Sequence, residues 1–176
     1  MIEDKELKCV FQDGSEALYE YSPTLFKLHY TFLGPYFTGR KIRYVYEFLH
    51  SGHYLDYYYA INDKIVGQCV VIPGGRRIEG TTEKDICIGG PYYILSEYRG
   101  RGLSIRMLDL VLNHCGYEYE YVYDYILKGN SPSINASRKL GMEQIGEGDI
   151  VGPFHMFRRL PNNGGGKFNL YRMRHK

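Results

Sequence analysis

The chain of 176 residues contains no tryptophan and only four cysteines. Cys9, Cys69, Cys87 and Cys115 lie far apart, and no two have the C-x-x-C spacing of a zinc site, so neither a structural metal nor a disulfide framework is expected. No apolar run approaches the roughly 18 residues that a membrane-spanning helix needs. The opening "MIEDKELKC" has no apolar stretch behind a basic one, unlike a secretory signal. An excess of charge is missing as well: 22 basic residues face 20 acidic ones, a net charge of +2. That is too mild for a nucleic-acid stripe. These absences lead us to expect free thiols, a cytoplasmic location, and no membrane or nucleic-acid partner.

What the chain has is tyrosine, 19 of them, bunched at 57–59, 92–93 and 117–125. Tyrosine suits a pleated, half-buried surface, so strand packing explains most of them. An aromatic acceptor pocket would explain one or two. The length suits one domain over residues 1–176.

Leu7 to Phe11 reads as a first strand, ended by Asp13-Gly14. Ser22-Pro23 starts a helix that Gly34-Pro35 stops, and a second helix covers Arg40 to His50. "YLDYYYAI" and "KIVGQCVVI" flank Asn62-Asp63 as an antiparallel hairpin. A polar loop over 73–84 leads to a strand over 85–95, interrupted by Gly89-Gly90-Pro91. Leu103, Met107, Leu108, Val111, Leu112 and Cys115 share one helical face, and Gly116 ends that helix. "YEYEYVYDYIL" is a strand. Ser131 as N-cap and Pro132 in the first turn open a short helix that Gly141 stops. In the tail, "FHMFRRL" and "KFNLYRM" flank "PNNGGG" as a last hairpin. The order is βααβββαβα followed by strands, an α/β chain with a mixed sheet.

Chemistry concentrates at "EYRGRGLSIRMLDLVL", residues 97 to 112. A strand ends, Arg99-Gly100-Arg101-Gly102 follows, and a helix begins at Leu103. The first turn of a helix has unpaired N–H groups and a partial positive charge, so anions bind there. Glycines let a phosphate approach the amides, and two arginines add charge. The pattern lacks the G-x-x-x-x-G-K-[ST] of a P-loop, and Ile105 stands where a dinucleotide fingerprint needs its third glycine. Taken by itself, the loop is equally a plain strand-to-helix turn.

Arg99 to Ser104 resembles the cofactor loop Q/R-x-x-G-x-G/A of the GCN5-related N-acetyltransferases, with Ser104 replacing the final Gly or Ala. "GNSPSINASRKLGM" (129–142) resembles that superfamily's N-x-x-S…K-x-G-F/M segment. The resemblance implies a single-domain α/β (α+β) fold. Its mixed, mostly antiparallel sheet would have six to seven strands flanked by helices, with strands four and five splayed. It implies acetyl-CoA as donor and direct attack by an amine of a small molecule or peptide. The diphosphate would rest on Arg99, Gly100, Arg101, Gly102, Leu103 and Ser104. The pantetheine arm would pair with Tyr93, Ile94 and Leu95, and Asn130, Ser133 and Asn135 would touch it. No metal is implied, and a monomer or homodimer is expected.

For catalysis, Glu47, Asp124 and a tyrosine–water chain are base candidates, Glu47 reading rather as a solvated carboxylate. Asp124 faces opposite to Tyr123 and Tyr125 by strand alternation. Ser137 stands where many relatives carry an acidic tyrosine. Tyr125 through water, or Ser133, a position that is serine in ribosomal-protein-acetylating relatives, would then protonate the thiolate, or it leaves unaided. The acceptor site would be lined by residues 22–55 and the last hairpin. His50-x-x-His53 reads as solvated. Two rival readings remain: a module that binds coenzyme A without turnover, and an RNA-interaction protein using basic loops and exposed tyrosines, against which the mild net charge speaks.

Overall fold

The computed structural model describes residues 7–21, 55–88, 92–152, 156–161 and 165–175. The two helices expected over 22–50, with Glu47, His50 and His53, lie outside them. The described residues form one ten-stranded sheet and two α-helices. The strands are β1 (Lys8–Asp13), β2 (Glu16–Tyr21), β3 (Leu55–Ile61), β4 (Lys64–Pro73), β5 (Asp85–Cys87), β6 (Tyr92–Ile94), β7 (Tyr121–Leu127), β8 (Glu143–Val151), β9 (Met156–Arg159) and β10 (Phe168–Arg174). Helix α1 is Leu103–His114 and α2 is Ser131–Leu140. The sheet order is β1-β2-β3-β4-β5-β7-β10-β8-β9, with β6 on β4. Only β5 and β7 pair in parallel among these strands.

The hairpin β3–β4 turns at Asn62 and Asp63, both at positive φ (50° and 60°), the geometry that matches the twist of the flanking strands. Tyr57, Tyr58 and Tyr59 are buried in β3, and their hydroxyls donate to Glu20, Asp56 and Glu16. Packing with an anchored polar tip thus accounts for this cluster.

Both helices cover one sheet face. Met107, Leu108 and Val111 of α1 and Ile134 of α2 pack on Val66, Cys69, Val71, Val122 and Ile126. Each such side chain contributes about 1.5–3 kcal/mol on burial. Gly67 of β4 lets α1 and β6 approach: a Cβ there would lie 2.6 Å from Ile94 Cδ1 and 2.9 Å from Met107 Sδ. The opposite face buries Cys87, Tyr123, Tyr125, Phe157 and Leu170.

Five sequence expectations need correction. The sheet has ten strands where six to seven were expected. The chain forms an extra strand, β2, directly after the Asp13–Gly14 turn. Ala17, Leu18 and Tyr19 are all buried, so β2 lacks the period-2 signal of a half-buried strand. The tail is not a hairpin of β9 and β10. Instead β10 enters between β7 and β8, and β8 pairs with β9 on its other side. Glycines hid β8, yet close approach requires them: a Cβ on Gly148 would lie 2.2 Å from the Arg158 carbonyl oxygen. Finally, α2 is capped by Asn130 and not Ser131; the Asn130 side chain accepts from the Ser133 N–H at 3.4 Å.

Candidate functional site

The sheet opens where β6 parts from β7. Asp85, Ile86 and Cys87 of β5 pair with Tyr121, Val122 and Tyr123, and the Ile88 N–H reaches the Tyr123 carbonyl at 3.0 Å. Beyond that point, among the described strands, β6 pairs with β4 alone, while Asp124 to Leu127 pair with β10. The register fixes which main-chain groups face the gap. Leu95 donates to the Val66 carbonyl at 2.9 Å, so its peptide faces β4. In an antiparallel ladder the direction alternates. Tyr93 therefore also faces β4, and Tyr92 and Ile94 face away from it. Of the three residues expected to pair with an extended ligand, only Ile94 presents its main chain to the gap. Tyr92, outside the sequence reading, joins it.

The turn after β6 leads into the arginine-glycine loop. Gly100 and Gly102 have φ of 75° and 72°, a region that favours glycine, and nothing among the described residues lies within 4 Å of a Cβ built on either. Gly102 is the N-cap of α1; no side chain among the described residues caps this helix, and its first turn holds no acidic residue. Its leading amides and its dipole are therefore available to an anion. Arg99 donates from Nε to the Ile94 carbonyl at 2.9 Å and its guanidinium lies 4.8 Å from the Tyr93 ring centre. It locks the turn to the strand end. Arg101 points elsewhere, donating to the Glu97 carbonyl at 3.1 Å in an exposed contact.

Two cavities meet at the gap. The larger, about 630 Å³, is lined by Tyr93, Ile94, Arg99, Gly100, Gly102, Leu103 and Ser104, with Tyr98 and Pro132. The smaller, about 360 Å³, is lined by Asp124, Tyr125, Ile126 and Leu127 of β7, with Ile88, Ile150 and Phe168. Tyr92, Asn130 and Ser133 line both. Leu95, Arg101 and Asn135 line neither. The space is mostly apolar with a few polar groups, as ligand sites are.

Asp124 and Tyr125 point to opposite sheet faces. Asp124 faces α2, where the Ser137 hydroxyl donates to its Oδ2 at 3.1 Å. Ser137 itself is buried. Burial raises the Asp124 carboxyl to about 6, against the partial opposition of the Ser137 hydroxyl and the Tyr125 N–H. The Tyr125 hydroxyl accepts from Nε of the buried Arg77 at 2.5 Å, and its ring stacks on Phe157 at 5.4 Å. The Tyr92 hydroxyl is buried beside Ser104. Burial is the main influence pushing it up, partly opposed by the Ser104 hydroxyl, and the nearby Cys69 and Asp124 add to the rise. No spacing rule marks Tyr92 or Arg77, because each reaches the site through strand pairing.

This sheet, split between its central strands beneath a helix with a glycine-rich N-terminus, is the fold of the GCN5-related N-acetyltransferases. No protein-family profile matches the chain, and no curated protein matches its sequence. Solved structures do. The chain is similar to a GNAT family acetyltransferase from Elizabethkingia anophelis with acetyl-CoA bound, at 12% identity and TM-score 0.61, covering 92% of this chain and 99% of that one. It is similar to an IAA acetyltransferase from Bacillus cereus, at 13% identity and TM-score 0.62, covering 91% and 99%. It is also similar to RimL, a ribosomal L7/L12 alpha-N-protein acetyltransferase, at 12% identity and TM-score 0.64, covering 96% and 94%. No helix among the described residues is long and apolar enough to cross a membrane.

Proposed function

We propose that the chain is an acetyl-CoA-dependent N-acyltransferase, a single domain that moves an acetyl group to a primary amine of a small molecule or peptide. One observation carries this reading: the cradle from Arg99 to Ser104 opens directly onto the strand gap. Open space stands over two left-handed glycines, beside an uncapped helix end. A diphosphate fits the first part of this path and an extended amide-bearing arm the second. A similar fold has been solved with acetyl-CoA bound.

The thioester supplies an activated acetyl group. The chain's own residues do the rest. Main-chain N–H groups from Gly100 to Ser104 hold the anion. The outward N–H of Ile94, or that of Tyr92, meets a carbonyl oxygen and stabilises charge on it. Asp124 is the base, since a carboxyl near 6 is mostly ionised at neutral pH yet still takes a proton. Ser133 lies where both cavities meet. Tyr125 is the weaker acid candidate, because its hydroxyl is held by Arg77 on the far side.

Calorimetry with acetyl-CoA, together with thiol release against a panel of amines, tests the reading. Micromolar binding and thiol release with at least one amine are expected. Gly100→Val and Gly102→Val, which fill the cradle, should each weaken binding at least 10-fold. Absence of heat at millimolar acetyl-CoA would sink the proposal. A second reading has one observation in its favour: Ser137 is buried and directed to Asp124, so the position of the family's tyrosine offers no acid to the cavity. Binding without release for any amine would identify a sensing module.

A further inference from the structure

Among the described residues that line the two cavities, Asp124 is the sole carboxylate. The others that carry a proton are tyrosines, serines and one arginine. The two positions where the resemblance leaves catalysis open, Asp124 on β7 and Ser137 on α2, are hydrogen-bonded to each other at 3.1 Å. A serine at that place is too short to reach the cavity, and its hydroxyl is spent on the carboxylate.

We infer that Asp124 does the work of both base and acid, carrying a single proton from the accepting nitrogen to the departing sulfur, with Ser137 as its positioning residue. The inference rests on the acetyltransferase reading above and goes beyond it by removing the need for a separate acid. Nitrogen and sulfur are bonded to one carbon at the moment of transfer, so one carboxyl faces both. The nitrogen lone pair forms the C–N bond, and the C–S electron pair leaves on sulfur. The proton shed by nitrogen goes to Asp124 and from there to sulfur. The products are an amide and a neutral thiol, and Asp124 ends ionised, as it began.

The surroundings suit this cycle. Ser137 holds one oxygen in place and leaves the carboxyl free to protonate. Tyr92 of β6, Cys69 of β4 and Tyr171 of β10 face Asp124 from the neighbouring strands, and no ion pair reaches it among the described residues. Burial pushes both Tyr92 and Cys69 upward, so neither charges near neutrality to disturb it.

The test is the pH profile of thiol release from acetyl-CoA, with methoxyamine as acceptor because that amine stays neutral over the range used. A shuttle requires an ionised carboxylate at the start and no second group. The kcat should rise through a single ionisation near 6 and stay level to pH 9.5. Asp124→Asn should lower kcat at least 100-fold, within the range for general acid–base groups, and abolish the rise. Ser137→Ala should move the rise to higher pH, because that hydroxyl favours the ionised form, and should lower kcat while leaving the KM for acetyl-CoA unchanged. Ser137→Thr should restore the profile.

A bell-shaped wild-type profile whose alkaline limb survives in Asp124→Asn would show a separate acid and overturn the inference. So would wild-type kcat in Asp124→Asn. Acetyl-CoA binding without thiol release from the wild type would also overturn it, while the cofactor site stands. No binding at all would remove the acetyltransferase reading itself.

Discussion

Asp124 works against the native state at neutral pH. Burial lifts its carboxyl from 3.8 to about 6. The folded chain therefore holds a proton there more tightly than the unfolded chain does. Below pH 4 both states are protonated and nothing is lost. Stability then falls as pH rises from 4 to 6, and the full penalty stands above that. Asparagine has the same shape, still accepts from Ser137, and never ionises. Asp124→Asn should therefore be more stable than the wild type at pH 7.5 by about 1–3 kcal/mol in urea unfolding, and equal to it below pH 4. Equal stability at both pH values would show that the carboxyl sits in water. At this scale the sequence was informative where function is local. Gly100 and Gly102 are two residues apart, and their tight turn into the helix was legible. Ser137 and Asp124 are 13 apart, and only the packing of α2 on β7 joins them. Arg77 and Tyr125, 48 apart, could not be paired from spacing at all.

Among the elements, β6 governs the gap. Its peptides alternate between a partner on β4 and the open side, which separates the amides into two kinds. Tyr93 and Leu95 face β4, and Tyr92 and Ile94 face the gap. Hydrogen exchange should find the Ile94 and Tyr92 amides fast in the free protein, and at least 10-fold slower with coenzyme A bound. The Leu95 amide, bonded to Val66, should be slow in both states. Protection of Leu95 alone on binding would contradict the register. The elements that were legible carry a strong signal: a hairpin with Asn-Asp at its tip, and an apolar helical face that begins within a residue of the glycine loop. Those that were missed lack one. β2 is buried on both faces, and β8 spends two of its nine residues on glycine, one against the Arg159 side chain and one against the Arg158 main chain.

For the whole molecule, the two sides of the sheet are joined through β5, which contributes two residue pairs to β4 and three to β7. A ligand that lies across the gap adds contacts where the sheet has few. Acetyl-CoA at 100-fold over its dissociation constant should add about 2.7 kcal/mol if it binds as proposed. For a chain of 176 residues this corresponds to a rise in Tm of roughly 5–10 °C. Inorganic phosphate, which fills only the helix end, should give a fraction of that shift. An equal shift with phosphate alone would mean that the strand gap takes no part. The architecture as a whole was legible through two short motifs placed in order, which imply the split sheet and the helix above it. The order of the last three strands was not, since β10 returns to the middle of the sheet by a long-range pairing that no local pattern announces.

The outward peptides of Tyr92 and Ile94 are two residues apart on an extended strand, a repeat of about 6.5–7 Å. Whatever occupies the space beside them must carry its own polar groups at that interval, on a backbone slim enough to lie flat. The strand is in this sense a ruler for any extended molecule that lies along it.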